Sequence, residues 1–200
     1  MKKIAVFASG SGSNFQSILD SIKDGSLQAE IVLLVCDQPT AYVIERAKKE
    51  NIPTFIFSSK AYDSKTAFET EILNQLQERK AEFIILAGYM RLIGETLLAA
   101  YSHKIVNIHP SLLPSFPGKD AIGQAFHAGV KLTGVTVHYV DEGMDTGPII
   151  DQRAVEVKED DTRETLQKRI QETEHILYPD VLKRIFSSDF IRDSKTPTSR

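Results

Sequence analysis

Short apolar runs alternate along the chain with longer stretches whose apolar residues recur every three or four positions. Residues 3–9 (KIAVFAS), 30–36 (EIVLLVC), 54–57 (TFIF), 82–88 (EFIILAG) and 104–109 (KIVNIH) have the length and β-branched content of strands. The first, second and fourth are apolar almost throughout, as strands covered on both faces of a parallel sheet must be. Residues 14–24, 41–50 and 62–80 carry helical spacing. In the last of these, Phe68, Ile72 and Leu76 form a stripe at fourfold intervals. Strand and helix in strict alternation predict an α/β domain with right-handed crossovers.

Beyond residue 118 the rhythm changes. A helix is expected over 120–129, then strands over 133–140 (TGVTVHYV) and 147–157 (GPIIDQRAVEV). Two strands joined by so short a loop pair antiparallel. A long helix over 162–186 closes the fold, with Asp161 placed to cap it. The expected architecture is a Rossmann-like three-layer α/β domain, its mostly parallel sheet ending in antiparallel strands. One domain is expected over residues 1–187, and the polar stretch 188–200 reads as a disordered tail.

Composition narrows the function classes. At 200 residues, 42% hydrophobic and 26% charged, the chain can bury a full core. A net charge of −3 offers no broad basic surface for nucleic acid. The single cysteine, Cys36, excludes an intramolecular disulfide and a cysteine-based metal cluster. The opening MKKIAVFASGSGSN has an apolar run of about five residues, below the ~7–15 of a secretory leader. No run reaches the ~18 apolar residues of a membrane span. The expectation is a cytoplasmic protein, monomeric or homodimeric, acting on small molecules.

Ligands of open α/β sheets bind beyond the carboxyl ends of the strands. Four polar segments should converge there: SGSGSN after the first strand, AGYMRLI after the fourth, NIHP after the fifth, and VDEGMDTG between the last two. In the first, Gly10, Gly12, Ser13 and Asn14 offer a glycine-lined helix start, suited to one phosphate; a simple tight turn is the alternative. A dinucleotide fingerprint needs glycine at position 15, where Phe15 stands. Asp37 leaves a nicotinamide site open as a second reading.

Asn107 and His109 lie two apart on a strand and so face the same way, and Pro110 stops the ladder directly after them. A carboxylate beside an imidazole favours the protonated ring. If Asp145 reaches His109, the pair can donate a proton while the Asn107 amide donates a hydrogen bond. That set suits an oxyanion formed at an acyl carbon. Ser111 reads equally as a turn residue, and Cys36 as core packing, so direct transfer fits better than an acyl-enzyme. His109, His138 and Asp145 also have the composition of a two-histidine, one-carboxylate metal set, though without close ligand spacing. His103, His127 and His175 read as surface or helix residues.

Taken together, VFASGSGSN, LAGYMRLI, NIHPSLLPSFPG and HYVDEGMDTGPI resemble the phosphoribosylglycinamide formyltransferases, folate-dependent enzymes of purine synthesis, in order along nearly the whole chain up to residue 179. The resemblance implies transfer of the formyl group of 10-formyltetrahydrofolate to the amine of glycinamide ribonucleotide, giving formylglycinamide ribonucleotide and tetrahydrofolate, with no metal. Asn107, His109 and Asp145 match the family's catalytic trio. Gly12, Ser13 and Asn14 match its phosphate seat, and Glu174 a sugar-phosphate contact. Met90, Arg91, Leu92 and Ile93, with Asn107, Val140, Asp141, Glu142 and Asp145, match the folate pocket, whose backbone groups read the pterin. Lys65 matches a basic folate contact and His138 a supporting histidine. Ile122 stands where several relatives carry a histidine. Hydrolysis of the same donor by a related deformylase is the competing enzymatic reading.

Overall fold

The computed structural model describes residues 1–187; the stretch read above as a polar tail lies outside the described residues. Seven strands form one sheet: β1 (Lys2–Ala8), β2 (Ala29–Cys36), β3 (Thr54–Ile56), β4 (Phe83–Leu86), β5 (Ile105–His109), β6 (Leu132–Tyr139) and β7 (Ile149–Glu156). Their order is β3-β2-β1-β4-β5-β6-β7. The first five run parallel, and β6 and β7 are antiparallel to their neighbours, as the short 140–148 connection requires.

Among the described residues six α-helices cover the sheet: α1 (Ser13–Lys23), α2 (Val43–Lys49), α3 (Lys65–Glu78), α4 (Glu95–Ala100), α5 (Ala121–Ala128) and α6 (Arg163–Phe186). Alternate residues of β1 point to opposite layers. Ile4, Val6 and Ala8 pack with Phe15 and Ile18 of α1, Val43 of α2, and Leu177, Val181 and Leu182 of α6. Ala5 and Phe7 pack with Phe68, Ile72 and Leu76 of α3 and Leu97 of α4. Two dry layers explain the nearly unbroken apolar runs of β1 and β2.

One helix and two helix starts differ from expectation. Helix α4 fills a stretch without a sequence prediction; it has six residues, and its N-cap, Gly94, contributes no side chain. Helix α3 begins at Lys65 rather than 62, because the Ser64 side chain accepts the Ala67 N–H. Helix α6 is capped by Thr162, whose side chain accepts the Thr165 N–H, and Asp161 instead forms an ion pair with Arg169 at 2.7 Å.

Two features set the working end of the sheet. The chain reverses direction across the sheet between β1 and β4, so their carboxyl ends open a crevice. Beneath it, the buried Tyr178 hydroxyl of α6 lies 2.9 Å from the carbonyls of both Leu86 and Val106, tying the helix to β4 and β5.

Candidate active site

A cleft of about 620 Å³ lies over the carboxyl ends of β1, β4 and β5. Its lining includes Gly12, Ser13, Asn14, Met90, Arg91, Leu92, Ile93, Asn107, His109, His138, Val140, Asp145 and Glu174. The four polar segments singled out in the sequence therefore meet in one place. Three expected members do not line it. Lys65 stands at the start of α3 beside Gly94 and Glu69, while Asp141 and Glu142 belong to the 140–148 loop without lining the cleft. The Asp141 carboxylate accepts the Gly143 N–H at 3.1 Å and the Thr146 hydroxyl at 2.7 Å, so it shapes the 140–148 loop.

Strand register brings the central groups together. Asn107 of β5 pairs directly with His138 of β6. The His138 Nδ1 lies 2.8 Å from the Tyr139 carbonyl, which can only accept, so that nitrogen carries the proton. His138 Nε2 is then the acceptor for the Asn107 Nδ2 amide at 3.1 Å. This orients the Asn107 amide and leaves its second N–H for a ligand.

His109 is held from both sides. Its Nε2 donates to the Phe116 carbonyl at 2.9 Å, and its Nδ1 lies 3.4 Å from Asp145 Oδ2. Both ring nitrogens thus face acceptors, an arrangement that suits an imidazolium. Asp145 Oδ2 also accepts the Gly118 N–H at 2.7 Å, and its other oxygen lies 3.7 Å from His138 Nε2. Burial pushes the Asp145 carboxyl up, but hydrogen-bond donors around it, the Gly118 N–H among them, and the nearby His109 together outweigh it and hold the group below its ordinary value.

The backbone is bent to make these contacts. Phe116 and Asp145 both adopt positive φ, near 55° and 57°. For a bulky residue such as Phe116 this is costly, and here it turns the carbonyl onto His109. Ser111 is fully buried and its hydroxyl donates to the Ser115 carbonyl at 2.6 Å, so it is a turn residue with no path to a ligand. Cys36 is buried in β2.

The other end of the cleft is built from α1 and α6. Gly12 precedes α1 at φ 74°, and a Cβ there would stand 2.5 Å from the Val43 side chain; both facts demand glycine. No side chain caps α1 and its first turn carries no acid, so its leading N–H groups remain open to an anion. Arg46 braces this turn from outside, donating from Nε to the Ser11 carbonyl at 2.8 Å. Phe15 is fully buried in the core, which is why no third glycine occurs.

Glu174 is only 7% exposed and has one partner, the Asn14 Nδ2 amide at 3.2 Å. Burial pushes its carboxyl up to about 7, against a smaller pull from Asn14. The Asn14 Oδ1 is buried without a hydrogen-bond partner among the described residues. Gln167 and Gln171 of α6 also line the cleft. Their spacing with Glu174, four then three, puts all three on one helix face, a signal available in the sequence but unused above.

Asp37 is not open to a ribose. It is 4% exposed and bound by Arg91 and Ser9. Among the described residues no group of three or more His, Cys, Asp or Glu side chains is arranged to hold a metal ion. No described helix is long and apolar enough to cross a membrane.

Comparison with known proteins agrees with this geometry. The profile of the "Formyl transferase" family matches residues 2–182. The phosphoribosylglycinamide formyltransferase of Bacillus subtilis (strain 168) is 60% identical over 185 residues, spanning 92% of this chain and 95% of that protein. The trifunctional purine biosynthetic protein adenosine-3 of Bos taurus is 41% identical over 92% of this chain, which spans only 18% of that longer protein. Among solved structures, glycinamide ribonucleotide transformylase 1 from Geobacillus kaustophilus is 64% identical, with a TM-score of 0.91 covering 94% of this chain and 100% of that one. The phosphoribosylglycinamide formyltransferase from Bacillus halodurans is 56% identical, with a TM-score of 0.92 over 94% and 97% of the two chains. With the family profile running through both ends of the cleft and every strand of the sheet, the chain belongs to the formyl transferase family.

Proposed function

We propose that this chain transfers the formyl group of 10-formyltetrahydrofolate to the amine of glycinamide ribonucleotide, giving formylglycinamide ribonucleotide and tetrahydrofolate in purine biosynthesis. The observation that carries the reading is the meeting of Asn107, His109 and Asp145 in a cleft whose far end is an open helix start at Gly12–Asn14.

The free amine attacks the formyl carbon and forms a tetrahedral intermediate. The second N–H of Asn107 donates to its oxyanion and the charge of the His109 ring stabilises it from nearby, both groups already held in place. Asp145 compensates the positive ring. The bond from carbon to the folate nitrogen then breaks, and the proton lost by the attacking amine is delivered to that nitrogen. The phosphate lies on the α1 start, Glu174 accepts from sugar hydroxyls, and Met90 to Ile93 with Val140 border the folate. Residues 1–187 act as one formyltransferase domain, cytoplasmic, monomeric or homodimeric. No step is assigned to a metal.

The test is a formyl-transfer assay with both substrates, run with and without a chelator. Formylated ribonucleotide should form at the same rate in both. Formate released equally with and without the amine would instead identify a hydrolase and overturn the reading.

A further inference from the structure

Residues 88–94 leave β4 and border the cleft without regular structure, so their backbone groups cannot be satisfied by a ladder. Hydrogen-bond partners from other elements hold both ends. At the far end the Gly94 N–H donates to the buried Glu69 carboxylate of α3 at 2.7 Å. At the near end the Ser9 N–H donates to the Gly88 carbonyl at 3.0 Å, and the Met90 N–H donates to the Ser9 hydroxyl oxygen at 3.0 Å.

The Ser9 hydroxyl in turn donates to Asp37 Oδ1 at 2.5 Å, and Arg91 Nε donates to Asp37 Oδ2 at 2.8 Å. Asp37 thus lies at the carboxyl end of β2 with a side chain only 2% exposed, while Arg91 keeps a third of its side chain open. A buried carboxylate is costly unless paired and hydrogen-bonded; here one oxygen takes the Ser9 hydroxyl at the exit of β1, and the other takes Arg91 and, at 3.4 Å, the Gln38 side-chain amide. Arg91 lines the cleft, and holding its Nε restricts the plane of the guanidinium fork.

We propose that Asp37, relayed through Ser9, is a positioning residue for the formyl donor: it fixes the Met90 backbone and the Arg91 fork against which the donor lies. This rests on the reading that Met90 to Ile93 border the folate. Asp37 touches neither the phosphate seat nor the Asn107–His109–Asp145 group, so its effect is confined to one substrate.

Asp37→Asn keeps the shape and removes the charge. In steady-state kinetics the KM for 10-formyltetrahydrofolate should rise about tenfold, while the KM for glycinamide ribonucleotide stays within about twofold and kcat within about threefold. Ser9→Ala, which cuts only the relay to Met90, should shift the donor KM the same way by about threefold. In an Arg91→Ala background, Asp37→Asn should have under half its effect on the logarithm of donor KM. A donor KM within twofold of wild type, or both KM values rising together with a fall in Tm, would overturn the proposal in favour of a structural role. If the wild-type chain transfers no formyl group, the functional reading fails instead, and the wild-type arm separates the two.

Discussion

Two ends of one cleft satisfy their polar groups in opposite ways. Around His109 every group has its partner in place: Phe116 and Asp145 take the ring nitrogens, Gly118 holds Asp145, and His138 holds Asn107. Around Glu174 the groups are short of partners, with one hydrogen bond to the carboxylate and none to Asn14 Oδ1. Charge that develops during a reaction is best met by dipoles that need not move. A ligand is best met by groups that have something left to bond. On the proposed function, the crowded end is organised for chemistry and the sparse end for binding.

The largest effects should come from emptying the crowded end. His109→Ala should lower turnover ~10²–10³-fold, the usual range for lost oxyanion stabilisation, with an unchanged circular dichroism spectrum. Asn107→Ala should cost about 2.7–4 kcal/mol of transition-state stabilisation, on the scale of a lost oxyanion donor. Near-normal turnover in either variant would erase the contrast.

The two ends should also answer pH with opposite signs. Glu174 rises from 4.5 to about 7 on folding, so it favours the fold fully below pH 4.5. That contribution, on the order of 3 kcal/mol, is lost as pH rises through 7. Denaturant melts at pH 5 and pH 8 should show this loss in the wild type and not in Glu174→Gln. Asp145 is lowered, so its contribution is present above its ordinary value near 4 and is lost as pH falls through the folded value. Asp145→Asn should flatten the acid side only. Matching pH profiles for wild type and both variants would remove the electrostatic difference.

The smallest effect belongs to neither end. Thr162→Ala removes the α6 cap and should cost about 1 kcal/mol in a denaturant melt. Both KM values should stay unchanged, which sets the baseline for the others.

What could be read from the sequence follows the range of the interactions. The buried strands, the fourfold stripe of α3 and the glycine at position 12 are local and were legible. So was the pairing of Asn107 with His109, because strand periodicity dictates it. The partners of Asp37 were not, since Ser9 and Arg91 follow other strands, β1 and β4, and only the sheet order makes them neighbours. Helix α4 was missed because its acceptor, Glu69, lies on another helix. Lys65 carried a motif match, yet α3 sets it beside that same carboxylate and off the cleft lining. The cap of α6 went to Thr162 because Arg169, two turns on, claims Asp161.

Tyr178 gives the two ends a common datum. It follows Glu174 by one helical turn on the same face, and its hydroxyl reaches the very strands whose exits carry Met90 and His109. The height and rotation of α6, and with them the distance from the Glu174 carboxylate to the Asn107–His109–Asp145 group, are set in part by that oxygen, alongside the core packing of Leu177, Val181 and Leu182. Shaving it off as Tyr178→Phe would leave each end intact and mis-space them.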